Sequence, residues 1–280
     1  MKTKVVNISG IPVGGGNPFV LIAGPCVIED EDIALHAAEW IKQIVDRLGI
    51  PWIYKSSFLK DNRSSVEYYQ GPGLEEGLRI LQKVKETFDV PVLSDVHESW
   101  QAAPAAEVLD VIQIPAYLSM QTSLAVAVAK TGKPVNVKKG QFLDPRDMSK
   151  VIGKINSQGN DQILLTERGS FFGYRNLVVD MRSLPIMRKL GYPVVMDATH
   201  SVRNYGVPSA DPRGGSPEFV PYLARAAVAA GVDAVFIETH PNCAEALCDA
   251  SSMWPLQKLE ELLKQLKEID ALVRSWPDLE

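Results

Sequence analysis

The sequence predicts an α/β fold, a closed (β/α)8 TIM barrel with a small β-hairpin at its start. Three observations predict it. Eight apolar, β-branched-rich runs recur along the chain, each followed by a helical segment, which is the alternation of parallel α/β architecture. The runs are apolar on both faces, as a parallel sheet covered by helices requires. Eight such units point to a closed barrel rather than an open doubly wound sheet, and no G-x-G-x-x-G follows the first run, which weakens a dinucleotide-binding reading. A length of 280 residues is ordinary for one barrel, so a single domain over residues 1–280 is expected, with 1–16 as the hairpin.

In chain order, VVNI and IPV flank Ser9-Gly10, a hairpin turn signal, and Gly14–Gly16 form a flexible lead-in. The first barrel strand is expected over Phe19–Ala23. A helix from about Asp30 to Leu48 follows, acidic at its start and with Lys42 and Arg47 toward its end, as the helix dipole favours. Gly49 stops it and Pro51 leads on, with the second strand read over Ile50–Ile53. Helices are then expected near Leu74–Thr87, Gln101–Leu109, Thr122–Lys130, Pro145–Ser157, Ser183–Leu190, Glu218–Ala230 and Leu256–Ser275. The strands between them are Pro91–Val96, Val111–Pro115, Val135–Val137, Gln162–Leu165, Pro193–Met196 and Ala234–Ile237.

Composition narrows the partners. A net charge of −5 argues against nucleic acid, since such binders are usually basic. No apolar run approaches the roughly 20 residues that span a bilayer, and MKTKVVNISG has no signal-peptide core. Three cysteines do not make a disulfide framework, and a reducing cytoplasm is the expected compartment.

A barrel places its active site at the carboxyl ends of its strands. Polar residues stand at every one of those ends: Cys26; Lys55 and Ser57; Asp95 and His97; Gln113; Lys138 and Gln141; Glu167 and Arg168; Asp197 and His200; Glu238 and His240. Any one of them has a bland explanation as a cap or a surface charge; eight in phase do not. The segment Tyr54–Ser65, YKSSFLKDNRSS, alone would pass for a solvated basic loop. Together, Lys55, Lys60, Arg63, Lys138 and Arg168 make a cationic lining in an acidic protein, which suits phosphate and carboxylate ligands. Cys26, His200, Glu238 and Asp249 offer a thiolate, an imidazole and two carboxylates, a mixed donor set for a divalent transition metal. Two readings of Cys26 stand at this point, a ligand or a small buried hydrophobe. Cys243 and Cys248 flank a turn and read as structural, while His36 and Glu98 read as surface residues.

Long ordered motifs carry a family resemblance from about Phe19 to the last helix. They are IAGPCVIE (Ile22–Glu29), KSSF (Lys55–Phe58), NRSS (Asn62–Ser65), GPGLEEGL (Gly71–Leu78), SDVHESWQA (Ser94–Ala102), VIQIPA (Val111–Ala116), VNVKKGQFL (Val135–Leu143), TERGSFFGYRNLVVD (166–180), DATHSV (Asp197–Val202) and FIETHP (Phe236–Pro241). The chain resembles the 3-deoxy-D-manno-octulosonate 8-phosphate synthases. The asparagine of NRSS separates it from the related synthases of the aromatic pathway, which resemble K-P-R-T-S there.

The resemblance implies condensation of phosphoenolpyruvate with arabinose 5-phosphate and release of phosphate. It implies that Lys60, Lys138 and Arg168 hold phosphoenolpyruvate, helped by Lys55, Ser57 and Gln113, and that Asn62, Arg63 and Ser64 meet the sugar phosphate. Asp95, His200 and Glu238 are candidate proton carriers. Cys26, after Gly-Pro, resembles the metal-dependent group, and His200, Glu238 and Asp249 fall on that group's other ligand positions; zinc, iron, manganese and cobalt all remain open. A homotetramer is implied as well. Four departures bear on the acceptor: Leu59 and Asp61 within F-D-K-A-N-R, Met120 within R-Q-T-D, and Arg203 where the family has glutamine. They leave a sister synthase with a different aldose as the alternative, with Arg203 or Arg213 as replacements for the missing charge.

Overall fold

A computed structural model of the chain describes residues 2–173, 176–208 and 211–277. Tyr174 and Arg175 of the quoted motif lie outside the described residues. Strands β1 (Val5–Ile8) and β2 (Ile11–Gly14) pair antiparallel, and Ser9 (φ 46°) and Gly10 (φ 90°) form the tight two-residue turn that the sequence signals. The barrel strands are β3 (Val20–Gly24), β4 (Trp52–Lys55), β5 (Val92–Asp95), β6 (Val111–Ile114), β7 (Val135–Lys138) and β8 (Ile163–Glu167). After β8 a hairpin of β9 (Ser170–Gly173) and β10 (Asn176–Val178) interrupts the alternation. Strands β11 (Val194–Asp197) and β12 (Ala234–His240) complete the set; β3 pairs with β12, β12 with β11 and β11 with β8, all parallel, so the sheet closes. A short β13 (Trp254–Pro255) pairs with the end of β12.

Among the described residues the α-helices are α1 (Glu31–Leu48), α2 (Leu74–Phe88), α3 (Ala102–Val108), α4 (Thr122–Ala129), α5 (Met148–Asn156), α6 (Ser183–Arg188), α7 (Val220–Ala229) and α8 (Leu259–Arg274). At α1, Asp30 caps the start by accepting from the Ile33 amide at 2.7 Å, and Gly49 (φ 63°) closes the end in the left-handed conformation. The second barrel strand begins two residues later than the apolar run predicts and runs through Lys55, because Gly49 and Pro51 still belong to the turn out of α1.

Side-chain direction alternates along each strand and divides the core in two. Leu21, Trp52, Tyr54, Val92, Ile112, Val135, Leu165 and Met196 pack outward against the helices. Val20, Ile22, Ile53, Leu93, Val111, Leu164, Val195, Ala234 and Phe236 point inward and meet Val6, Ile8 and Val13 of the hairpin, which therefore covers the amino-terminal end of the barrel. Two residues beyond six of these inward apolar positions comes a polar one: Lys55 after Ile53, Asp95 after Leu93, Gln113 after Val111, Thr166 after Leu164, Asp197 after Val195 and Glu238 after Phe236. The strand period alone thus stacks a polar storey on an apolar one inside a single barrel.

Candidate active site

A cavity of about 690 Å³ opens above that polar storey. Lys60, Asp95, Gln113, Lys138, Gln141, Arg168, His200, Asp249 and Cys248 line it, with Asn62, Arg63, Ser64, Arg203 and Tyr205 nearer the mouth. Of the site residues predicted from sequence, Lys55, Ser57, Cys26 and Glu238 do not line the cavity; they lie beneath or beside it.

Lys55 is fully buried, and its ammonium donates to Glu238 Oε1 at 2.5 Å and to the Cys26 carbonyl at 2.9 Å. It fixes the floor from below. Ser57 donates to Asp95 Oδ2 at 2.9 Å, and Lys60 Nζ reaches the same oxygen at 3.3 Å. Burial opposes the Asp95 charge, but Lys60, Lys55, His97 and Lys138 outweigh it and hold this carboxyl well below its usual range. Asp95 also accepts from Gln113 Nε2, Gln113 Oε1 accepts from Asn136 at 2.8 Å, and Asn136 Oδ1 accepts from Thr166 at 2.6 Å. Four adjacent strands, β5 to β8, are therefore tied by one hydrogen-bonded chain that fixes the Asp95 and Gln113 rotamers.

Across the cavity, Lys138 Nζ lies 2.5 Å from Asp197 Oδ2 and 3.5 Å above the Phe236 ring. Burial lowers the pKa of Lys138, with Asp197 and Glu238 opposing. Arg168 donates to the Tyr205 hydroxyl at 2.7 Å, and Gln141 donates to the same hydroxyl at 2.5 Å. Tyr205, in a loop with no chemical motif of its own, is a site residue that sequence reasoning missed.

The four predicted ligand residues converge. His200 Nδ1 is held by Asp197 Oδ2 at 2.7 Å, which turns Nε2 toward Glu238 Oε2 at 3.5 Å and Asp249 Oδ2 at 3.6 Å. Cys26, Cys248 and Asp249 form a second triad that shares Asp249. Burial lowers the pKa of His200, while Glu238 sits at about 2, burial being overcome by His200, Lys55 and Lys60. Glu238 Oε2 is buried and has no hydrogen-bond partner. Lys55 neutralises this carboxylate through Oε1, which leaves the Oε2 lone pairs as a donor for a further cation. Bare oxygen, thiol and imidazole are a donor set that fits a divalent transition metal. Cys248, read from sequence as structural, lies at this cluster: its Sγ is 2.9 Å from Cys26 Sγ, and Arg63 donates to it at 2.8 Å. A separation of 222 residues hid the contact, which only the closed barrel makes.

The departures are placed unequally. Leu59 packs on the core, Asp61 is exposed and Met120 lies off the cavity with its carbonyl accepting from Lys154. Arg203 does line the cavity and pairs with Asp249 at 3.3 Å. Arg213 does not; it is exposed and pairs with Asp211 at 2.7 Å. His36 and Glu98 are exposed as expected. His97 and His240 are buried outside the cavity wall, and Glu167 turns away to cap the Arg168 and Gly169 amides.

A parallel barrel whose mouth holds lysines and arginines over a thiol, imidazole and carboxylate cluster defines an enzyme for small anionic substrates. The chain belongs to the DAHP synthetase I family, which it matches over residues 2–275. Relatives named 2-dehydro-3-deoxyphosphooctonate aldolase resemble it across nearly their whole length. The one from Trichlorobacter lovleyi is 57% identical over 272 residues, 97% of this chain and 100% of the relative. That of Geobacter sp. (strain M21) is 56% identical over 271 residues, 97% and 99% of the two chains. That of Acidithiobacillus ferrooxidans is 54% identical over 270 residues, 96% of each. Among the described residues no helix is long and apolar enough to cross a membrane.

Proposed function

We propose that this chain joins phosphoenolpyruvate to D-arabinose 5-phosphate, with water, giving 3-deoxy-D-manno-octulosonate 8-phosphate and inorganic phosphate. The relatives' shared name describes a phosphorylated 3-deoxy acid of eight carbons. Its aldol bond divides it into a three-carbon pyruvyl unit and a five-carbon aldose phosphate, which favours this acceptor over the alternative aldoses. The observation that carries the reading is the convergence of Lys60, Lys138 and Arg168 on one cavity beside the His200, Glu238 and Asp249 cluster.

In this reading Lys60, Lys138 and Arg168 neutralise the phosphate and carboxylate of phosphoenolpyruvate, with Gln113 as a neutral donor. Lys55 and Ser57 act from below by holding Glu238 and Asp95 in place. Asn62, Arg63 and Ser64, at the mouth, receive the sugar phosphate and hydroxyls. Holding two anions together removes their mutual repulsion and aligns the enol carbon with the aldehyde. Carbon 3 of the enolpyruvyl unit bonds to the aldehyde carbon, whose oxygen takes a proton. Water adds at carbon 2 and loses a proton, and the carbon–oxygen bond to phosphate then breaks, leaving the ketone. Cys26, His200, Glu238 and Asp249 would hold a divalent transition metal, which when bound supplies Lewis-acid polarisation or orients water. With His200 Nε2 committed there, Asp95 beside the Lys60 ammonium is the pair placed to move protons. A homotetramer in the cytoplasm completes the proposal.

The test is phosphate release from phosphoenolpyruvate with a panel of aldoses, with and without added divalent metal. Turnover with arabinose 5-phosphate that a chelator abolishes and Cys26→Asn alters is expected. Preference for another aldose would overturn the acceptor assignment, and chelator-resistant turnover would remove the metal.

A further inference from the structure

Cys248 has a different setting from the third cysteine. The Cys243 thiol is turned to the His240 and Met253 carbonyls, at 3.8 and 4.0 Å. Cys248 is buried at the cavity wall, 2.9 Å from Cys26 Sγ, and both sulfurs lie within 4.8 Å of an Asp249 carboxylate oxygen. Neighbouring residues of an extended chain point to opposite sides. Here Asp249 takes the left-handed conformation (φ 50°), which brings the side chains of both 248 and 249 to the same cluster. Asp tolerates that conformation better than most residues, yet it carries a cost and is the kind of backbone found where a site demands it.

The loop is also pinned. Glu29 Oε1 accepts from the Leu247 amide at 2.9 Å, and the Asp249 carbonyl accepts from the Ser252 amide at 2.9 Å. Arg63 places a guanidinium N–H 2.8 Å from Cys248 Sγ, which fixes the direction of that sulfur at the cavity wall. Glu238 Oε2, buried with no hydrogen-bond partner, belongs to the His200 group that shares Asp249 with these thiols, and is a second pointer to a cation.

We propose that Cys248 is a further ligand of the metal, so that two thiolates, Cys26 and Cys248, face the ion together with His200, Glu238 and Asp249. The inference rests on the metal reading above and adds one donor to it. On loading, both thiols release their protons to solvent, and Arg63 remains as a hydrogen-bond donor to the Cys248 sulfur. Two soft sulfurs bias the site toward thiophilic ions, zinc, cobalt and iron, over manganese. Arg63 thereby joins the rim of the cavity to the metal cluster.

The test is cobalt(II) added to the metal-free full chain, read by the near-ultraviolet thiolate-to-cobalt absorbance. Cys248→Ser is expected to remove about half of the native band and Cys26→Ser about the other half, with Cys243→Ser unchanged. X-ray absorption on the zinc-loaded native protein needs no variant and should find two sulfurs at about 2.3 Å. A Cys248→Ser band equal to native, with Cys26→Ser lacking any band and one sulfur in the zinc spectrum, overturns this inference and leaves the metal centre standing. Native protein that shows no thiolate-to-cobalt band at all overturns both.

Discussion

Removing the Lys55 ammonium tests how the floor of the site is held. Lys55→Met keeps the length of the side chain and deletes its charge, leaving Glu238 buried without its nearest cation. Lys55 Nζ is 2.5 Å from Glu238 Oε1 and Lys60 Nζ is 3.9 Å from it. By inverse distance the Lys55 attraction is about 1.6-fold the stronger. Breaking a buried pair costs about 3–5 kcal/mol. The remaining Lys60 contact sets the expectation at the low end, about 3 kcal/mol, or about 6–12 °C in melting temperature for a chain of this size. Urea unfolding in the presence of a chelator measures it, with Trp52, buried in the same strand, as a fluorescence reporter. Adding Glu238→Gln should recover part of the loss, since the stranded charge goes with it. A loss in Lys55→Met below about 1 kcal/mol, or a double variant as unstable as the sum of the singles, would refute the argument.

Three further outcomes are expected. Arg168→Gln removes one charge-assisted contact, so kcat/KM for phosphoenolpyruvate should fall about 10- to 100-fold while the melting temperature moves little; steady-state kinetics and a thermal melt decide it. Asn136→Leu leaves Gln113 Oε1 without its donor and Thr166 without its acceptor, and should cost about 2–4 kcal/mol by denaturant unfolding. Asp233, buried and pushed above its usual 3.8 by that burial against the pull of Arg188, binds its proton more readily folded than unfolded. Its contribution is therefore full below 3.8 and is lost as pH rises through its folded value, and Asp233→Asn should flatten that part of the stability–pH curve.

The barrel was legible because a strand buried on both faces has nowhere to put a polar residue until it reaches the mouth. That constraint made runs such as Val92–Asp95 and Ala234–His240 visible together with their functional ends. The β9–β10 hairpin left no such trace. Its strands are short, Phe172 is 95% exposed at φ 78°, and the alternation that marks a half-buried strand is lacking. The cationic residues were findable in the same way as the strands, as charges in phase at strand ends. Cys248 and Tyr205 were not, because both sit in long loops whose direction is set by tertiary contacts: Glu29 on Leu247 in one case, Arg168 and Gln141 on the hydroxyl in the other. Lys55 shows a different limit. Sequence placed it at the mouth, but two fully occupied hydrogen bonds keep it in the foundation.

The hairpin that plugs the amino-terminal end with Val6, Ile8 and Val13 makes the barrel, over its described residues, a flask that opens at the carboxyl ends of the strands. Lys60, Lys138 and Arg168 are buried toward its bottom, whereas Asn62 and Ser64 are exposed at the lip. On the proposed assignment, the enolpyruvyl compound goes in first and the sugar then stoppers the opening above it. Traffic order is then a matter of plumbing rather than of affinity.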